Sequence, residues 1–75
     1  MLENLKTLGL SLNQLKQLPD SICDLKKLEQ LDVYDNQLEA LPPSFGNLLQ
    51  LRTLDLFNNQ IQKLPKSFNK LVNLT

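Results

Sequence analysis

Apolar residues fall in columns along this chain. Leu5, Leu28, Leu51 and Leu74 recur every 23 residues, and the other apolar landmarks keep the same step. Leu8, Leu31 and Leu54 make one column, and Leu10, Val33 and Leu56 the next. Leu15, Leu38 and Ile61 follow, then Leu18, Leu41 and Leu64, each of which precedes a proline: Pro19, Pro42 and Pro65. Ile22, Phe45 and Phe68, then Leu25, Leu48 and Leu71, close the unit. A polar column of Asn13, Asn36 and Asn59 runs through the middle. Periodicity of this length marks a stack of short units, each of which buries its apolar side only against its neighbours.

Each unit predicts its own elements. Leu8-Gly9-Leu10, Leu31-Asp32-Val33 and Leu54-Asp55-Leu56 alternate inward and outward, which is strand periodicity. Three parallel strands are expected near residues 7–11, 30–34 and 53–57. Parallel strands need a crossover, and the remainder of each unit supplies it. The prolines fix φ and remove a ladder donor, so the sheet ends before them. The i, i+3 pairs Ile22/Leu25, Phe45/Leu48 and Phe68/Leu71 suit one helical or 3₁₀ turn laid on the far side of the core. Ser21, Ser44 and Ser67, next to the prolines, read as caps for those turns.

The asparagines have a different cause. After each strand the chain bends inside the stack, leaving backbone groups that must find partners. An amide side chain offers both donor and acceptor, so Asn13, Asn36 and Asn59 read as a structural ladder and not as ligand contacts.

The full pattern, LxxLxLxxNxLxxLPxxI/FxxL, resembles the leucine-rich repeat family in its 23-residue form. The Leu-Pro subtype is similar to intracellular Ras-scaffold repeats, plant Ras-group repeats, Roco GTPase repeats and many bacterial repeats. The resemblance implies an α/β fold: a right-handed solenoid with a concave parallel sheet and short helical or 3₁₀ convex turns. It also implies that the usual task is holding another macromolecule. Complete repeats span 5–27, 28–50 and 51–73, with partial repeats at both ends and no polar caps, so the segment reads as a piece of a longer array.

Composition narrows the function classes. Eight basic and eight acidic side chains cancel, which leaves no electrostatic footprint for nucleic acid. No apolar run exceeds two residues, so no membrane span is expected. The chain has no histidine, and with it goes the commonest general base; no catalytic residue, metal site or cofactor is expected. Cys23, the only cysteine, forms no internal disulfide and reads as a small packing residue. Asn73-Leu74-Thr75 matches a glycosylation triplet but reads as repeat spacing. The expected setting is cytoplasmic, with a secreted bacterial effector as the alternative.

Candidate binding residues lie between the leucines, on the outward side of the strands. Gln30 and Thr53, Asp32 and Asp55, Tyr34 and Phe57, and Asp35 and Asn58 stand in register as the partner-binding set on the concave face. Large aromatics at outward strand positions are costly to leave in water and are enriched in binding hot spots. The alternative for Tyr34 and Phe57 is a cross-strand aromatic pair that steadies the sheet. Lys16, Lys26, Lys27, Lys63, Lys66 and Lys70 fall on the turns, which segregates basic charge from the acidic face.

Three functions follow as expectations. The first is a protein–protein interaction module with its ligand on the concave face. The second is a regulatory repeat segment of a larger signalling enzyme such as a GTPase, kinase or ubiquitin ligase. The third is an uncapped fragment that mainly self-associates end to end.

Overall fold

A computed structural model describes residues 4–71; Leu2, Leu74 and the Asn73-Leu74-Thr75 triplet lie outside the described residues. Strands β1 (Thr7–Gly9), β2 (Gln30–Asp32) and β3 (Thr53–Asp55) alternate with 3₁₀ turns η1 (Asp20–Asp24), η2 (Phe45–Asn47) and η3 (Lys66–Lys70). The strands form one parallel sheet in the order β1-β2-β3. Its register is the repeat itself: Thr7, Gln30 and Thr53 are aligned, as are Leu8, Leu31 and Leu54, and Gly9, Asp32 and Asp55.

The regular strands are shorter than the alternating pattern predicts, yet the backbone ladder runs on. Leu10 N–H donates to the Asp32 carbonyl at 2.8 Å and Leu12 N–H to Tyr34 at 3.0 Å. Val33 and Asp35 repeat this toward Asp55 and Phe57, at 3.0 and 2.9 Å. The ladder ends where one residue per repeat turns left-handed: Leu12 at φ 62°, Asp35 at 56° and Asn58 at 58°. Asn and Asp tolerate this region because their short polar side chains bond locally, whereas leucine has no such compensation.

Proline then starts the crossover turn. The carbonyls of Pro19, Pro42 and Pro65 accept from Ile22, Phe45 and Phe68 N–H at 3.1, 3.0 and 2.9 Å, each the i to i+3 bond of a tight turn. The serines next to the prolines are not caps, since no side chain caps η1, η2 or η3. Ser67 instead ties two repeats together: its hydroxyl donates to the Pro43 carbonyl at 2.6 Å and accepts from Gly46 N–H at 2.9 Å. Gly46 permits that approach, because a Cβ there would stand 1.8 Å from the Ser67 carbonyl oxygen.

The core lies between the sheet and the turns. Leu28, Leu31, Val33, Leu38, Phe45, Leu48 and Leu51 are fully enclosed, and all but Leu51, the first residue of the third repeat, belong to the middle repeat. Phe45 and Phe68 stack with ring centroids 6.3 Å apart and planes 11° from parallel. Asn36, only 7% exposed, sits inside the stack. Its Nδ2 donates to the Leu10 and Val33 carbonyls at 3.0 Å, and its Oδ1 accepts Leu15 N–H at 3.1 Å. Asn59 does the same one repeat on, donating to Val33 and Leu56 and accepting from Leu38 N–H at 3.0 Å. Asn13 has no repeat before it among the described residues and bonds only locally, to the Leu10 and Ser11 carbonyls.

Candidate binding face

Strand alternation sets the outer face of the sheet. With Leu31 and Val33 turned into the core, Gln30, Asp32 and Tyr34 point outward. Thr53, Asp55 and Phe57 do the same around Leu54 and Leu56, one strand spacing of about 4.8 Å away. The register therefore sets the Asp32 and Asp55 carboxylates side by side. Gly9 completes that row without a side chain, and nothing lies within 4 Å of where its Cβ would be. This leaves open space beside Asp32.

Each acidic group of this face already holds a neighbour. Gln30 Nε2 donates to Asp32 Oδ2 at 3.0 Å. Asp55 Oδ1 accepts Phe57 N–H at 3.1 Å. Asp35 Oδ1 accepts Asn58 Nδ2 at 2.7 Å, a bond between two left-handed residues 23 positions apart. The sequence columns put these groups on one face but do not show that they bond one another. Among the described residues, Asp32 Oδ1 and Asp55 Oδ2 stay outside these bonds.

The two aromatics differ. Tyr34 is half-buried, and its backbone N–H is held by the Ser11 hydroxyl at 3.0 Å. Phe57 is 75% exposed. The ring contact among the described residues is the Phe45–Phe68 stack on the far side of the core, not one between Tyr34 and Phe57. Leu12 is 69% exposed at the left-handed position and extends this apolar margin into the first repeat. Column reading passes over it, because the corresponding Asp35 and Asn58 are polar. At the other end of the strands, Thr7, Glu29, Gln30, Arg52 and Thr53 line a shallow cleft of about 280 Å³.

Among the described residues no three His, Cys, Asp or Glu side chains converge as metal ligands, and no helix is long and apolar enough to cross a membrane. The Cys23 thiol is buried among Ile22 and its neighbours. Burial holds its pKa above the usual thiol range, Asp20 and Asp24 add to this, and Lys26 opposes them. A thiol shifted this way is a poor nucleophile at neutral pH.

A family model described as a leucine-rich repeat region matches residues 1–75. The chain belongs to the leucine-rich repeat family. It is also similar to the solved structure of a leucine-rich repeat protein from Leptospira interrogans, at 45% identity and a TM-score of 0.92. That match covers 95% of this chain and 18% of the Leptospira chain, so this leucine-rich repeat segment spans under a fifth of its relative's length. No curated protein matches it. Parallel strands in 23-residue register with 3₁₀ crossovers are the solenoid of this family, and its members are in general interaction modules rather than enzymes.

Proposed function

We propose that this leucine-rich repeat segment binds a protein partner on the outer, concave face of its sheet. The observation that carries the reading is Phe57, a phenylalanine left 75% exposed beside a row of carboxylates. An exposed aromatic rimmed by polar groups is the composition of an interface centre. The partner that fits is a peptide or protein surface with an apolar side chain for Phe57 and Tyr34. Beside it, a basic or amide group meets Asp32 and Asp55. Gln30, Thr53, Asp35 and Asn58 form the polar rim.

Peptides selected from a random display library on the immobilised chain provide the test. Phe57→Ala and Tyr34→Ala should each weaken the selected peptides by about 2 kcal/mol, near 30-fold, as hot-spot truncations do. Lys26→Ala and Lys66→Ala, exposed beyond the sheet, should change little. The opposite ranking would move the site to the turns and overturn the proposal.

A further inference from the structure

We infer that Gly9 is a recognition notch in the outer face of the sheet, over which an arginine of the bound protein segment lies and pairs with Asp32. The inference rests on the concave-face reading and deepens it, naming the charged group that the partner brings and the place it takes.

The two glycines of the chain are unlike. Gly46 is required by packing, since a Cβ there would stand 1.8 Å from the Ser67 carbonyl oxygen. Gly9 has no such reason. Its φ is not positive, and nothing lies within 4 Å of where its Cβ would be. Asp32 and Asp55 hold the same register position with full side chains. Glycine weakens a strand through backbone entropy, and where nothing internal requires it, it marks a place that another chain approaches closely. The fold gains nothing from Gly9, and the outer face gains a depression one side chain deep. A strand that continued the sheet past β1 would lie beside Gly9 and not over it, so the notch opens outward whatever flanks the sheet.

Asp32 forms a wall of this notch. Its strand runs next to Gly9, about 4.8 Å away. The residue is half-buried and Gln30 holds Oδ2 at 3.0 Å, which fixes the carboxylate, while Oδ1 lies outside that bond among the described residues. Asp55 stands in register on the other side. Like charges placed side by side on neighbouring strands repel. A cation in the notch relieves that repulsion and a neutral amide does not, which decides for a basic group. Asp35 adds a third carboxylate nearby, whereas Glu29 and Arg52, which share the cleft at the strand starts, are of opposite sign. Arginine suits the notch better than lysine. Its stem lies along the bare backbone of Gly9, and its planar fork meets a carboxylate with two parallel bonds.

The notch stands at a set distance from the apolar anchor. Phe57 is two residues beyond Asp55, so Phe57 and Gly9 are separated by two strand spacings across and two residues along. That is about 12 Å, which an extended segment crosses in about four residues. The partner segment therefore runs obliquely across the strands, with its apolar side chain at one end of the crossing and its arginine at the other.

Peptides selected on the immobilised parent chain from the random display library are the probes. They should carry an arginine about four residues from their apolar anchor. Gly9→Val fills the notch without changing charge. It should leave the melting temperature unchanged or raised, because valine suits a strand better than glycine, and weaken these peptides about tenfold. Replacing the peptide arginine by citrulline, its neutral isostere, should weaken binding to the parent about tenfold and binding to Asp32→Asn by much less. Binders that need Phe57 and Tyr34 but lack the arginine, or that ignore both Gly9→Val and Asp32→Asn, would overturn the inference and leave concave-face binding standing. A selection without binders, or with binders indifferent to Phe57→Ala and Tyr34→Ala, would remove both.

Discussion

Leu8, Leu31 and Leu54 hold the same position in consecutive repeats, yet only Leu31 is fully enclosed. The same holds for the asparagines. Asn36 spans two repeats from inside the stack, while Asn13 closes only its own bend. The middle and outer repeats differ little in pattern and greatly in environment. Burial in this fold is supplied by neighbours and not by the repeat's own sequence. A residue's contribution therefore depends on where its repeat sits in the stack, a rule that substitutions at matched positions can break or sharpen.

The largest contrast should come from the leucines. Leu31→Ala is expected to cost about 3 kcal/mol, within the range for enclosed leucines, because repeats on both sides hold the cavity open. Leu8→Ala, half-exposed, should cost less than half of that. Denaturant unfolding of the pair measures both, and equal losses would mean that the outer repeat is as well packed as the middle one.

Next come the asparagines. Asn36→Ala strips partners from buried backbone groups of two repeats and should destabilise by about 1–3 kcal/mol. Asn13→Ala should fall near the bottom of that range or below it, and a reversed order in thermal melts would remove the ladder from the account.

A smaller effect, of opposite sign, is expected at Leu12. Leucine at φ 62° carries left-handed strain that Asp35 and Asn58 relieve with their side chains. Leu12→Asn should raise stability by about 0.5–1 kcal/mol, and an unchanged or lowered melting temperature would show that the strain is relieved elsewhere.

The smallest effect concerns pH. The Cys23 thiol has its pKa raised in the folded chain, so the protonated form is the one that folding favours. Its contribution is complete below the ordinary thiol range and declines as pH rises through the folded value. The melting temperature of the parent should therefore fall slightly relative to Cys23→Ser as pH rises above 9, the ordinary value for this thiol. Native alkylation at pH 7 should be slow and become fast on unfolding.

Most of the fold was legible because the leucine columns impose one register on strands, bends and crossovers together. What remained hidden depends on distances between repeats. Ser67 looks like a turn cap beside Pro65, and only the close approach of Gly46 turns it into a clamp on the neighbouring repeat. The left-handed position is signalled by Asp35 and Asn58, residue types that favour it, but Leu12 masks the column. The candidate face was legible as a set of outward columns. The pairings of Gln30 with Asp32 and of Asp35 with Asn58 depend on rotamers that no spacing specifies.

The most direct test of neighbour-supplied stability is residue-resolved amide hydrogen exchange at a concentration low enough to keep the chain monomeric. Leu15, Leu38 and Ile61 occupy one column. Leu15 and Leu38 N–H are each held by the asparagine of the following repeat, while Ile61 N–H has no partner among the described residues. Leu38, flanked on both sides, should exchange slowest, Leu15 next, and Ile61 close to the unprotected rate. Equal protection at the three positions, or slow exchange at Ile61, would contradict the account.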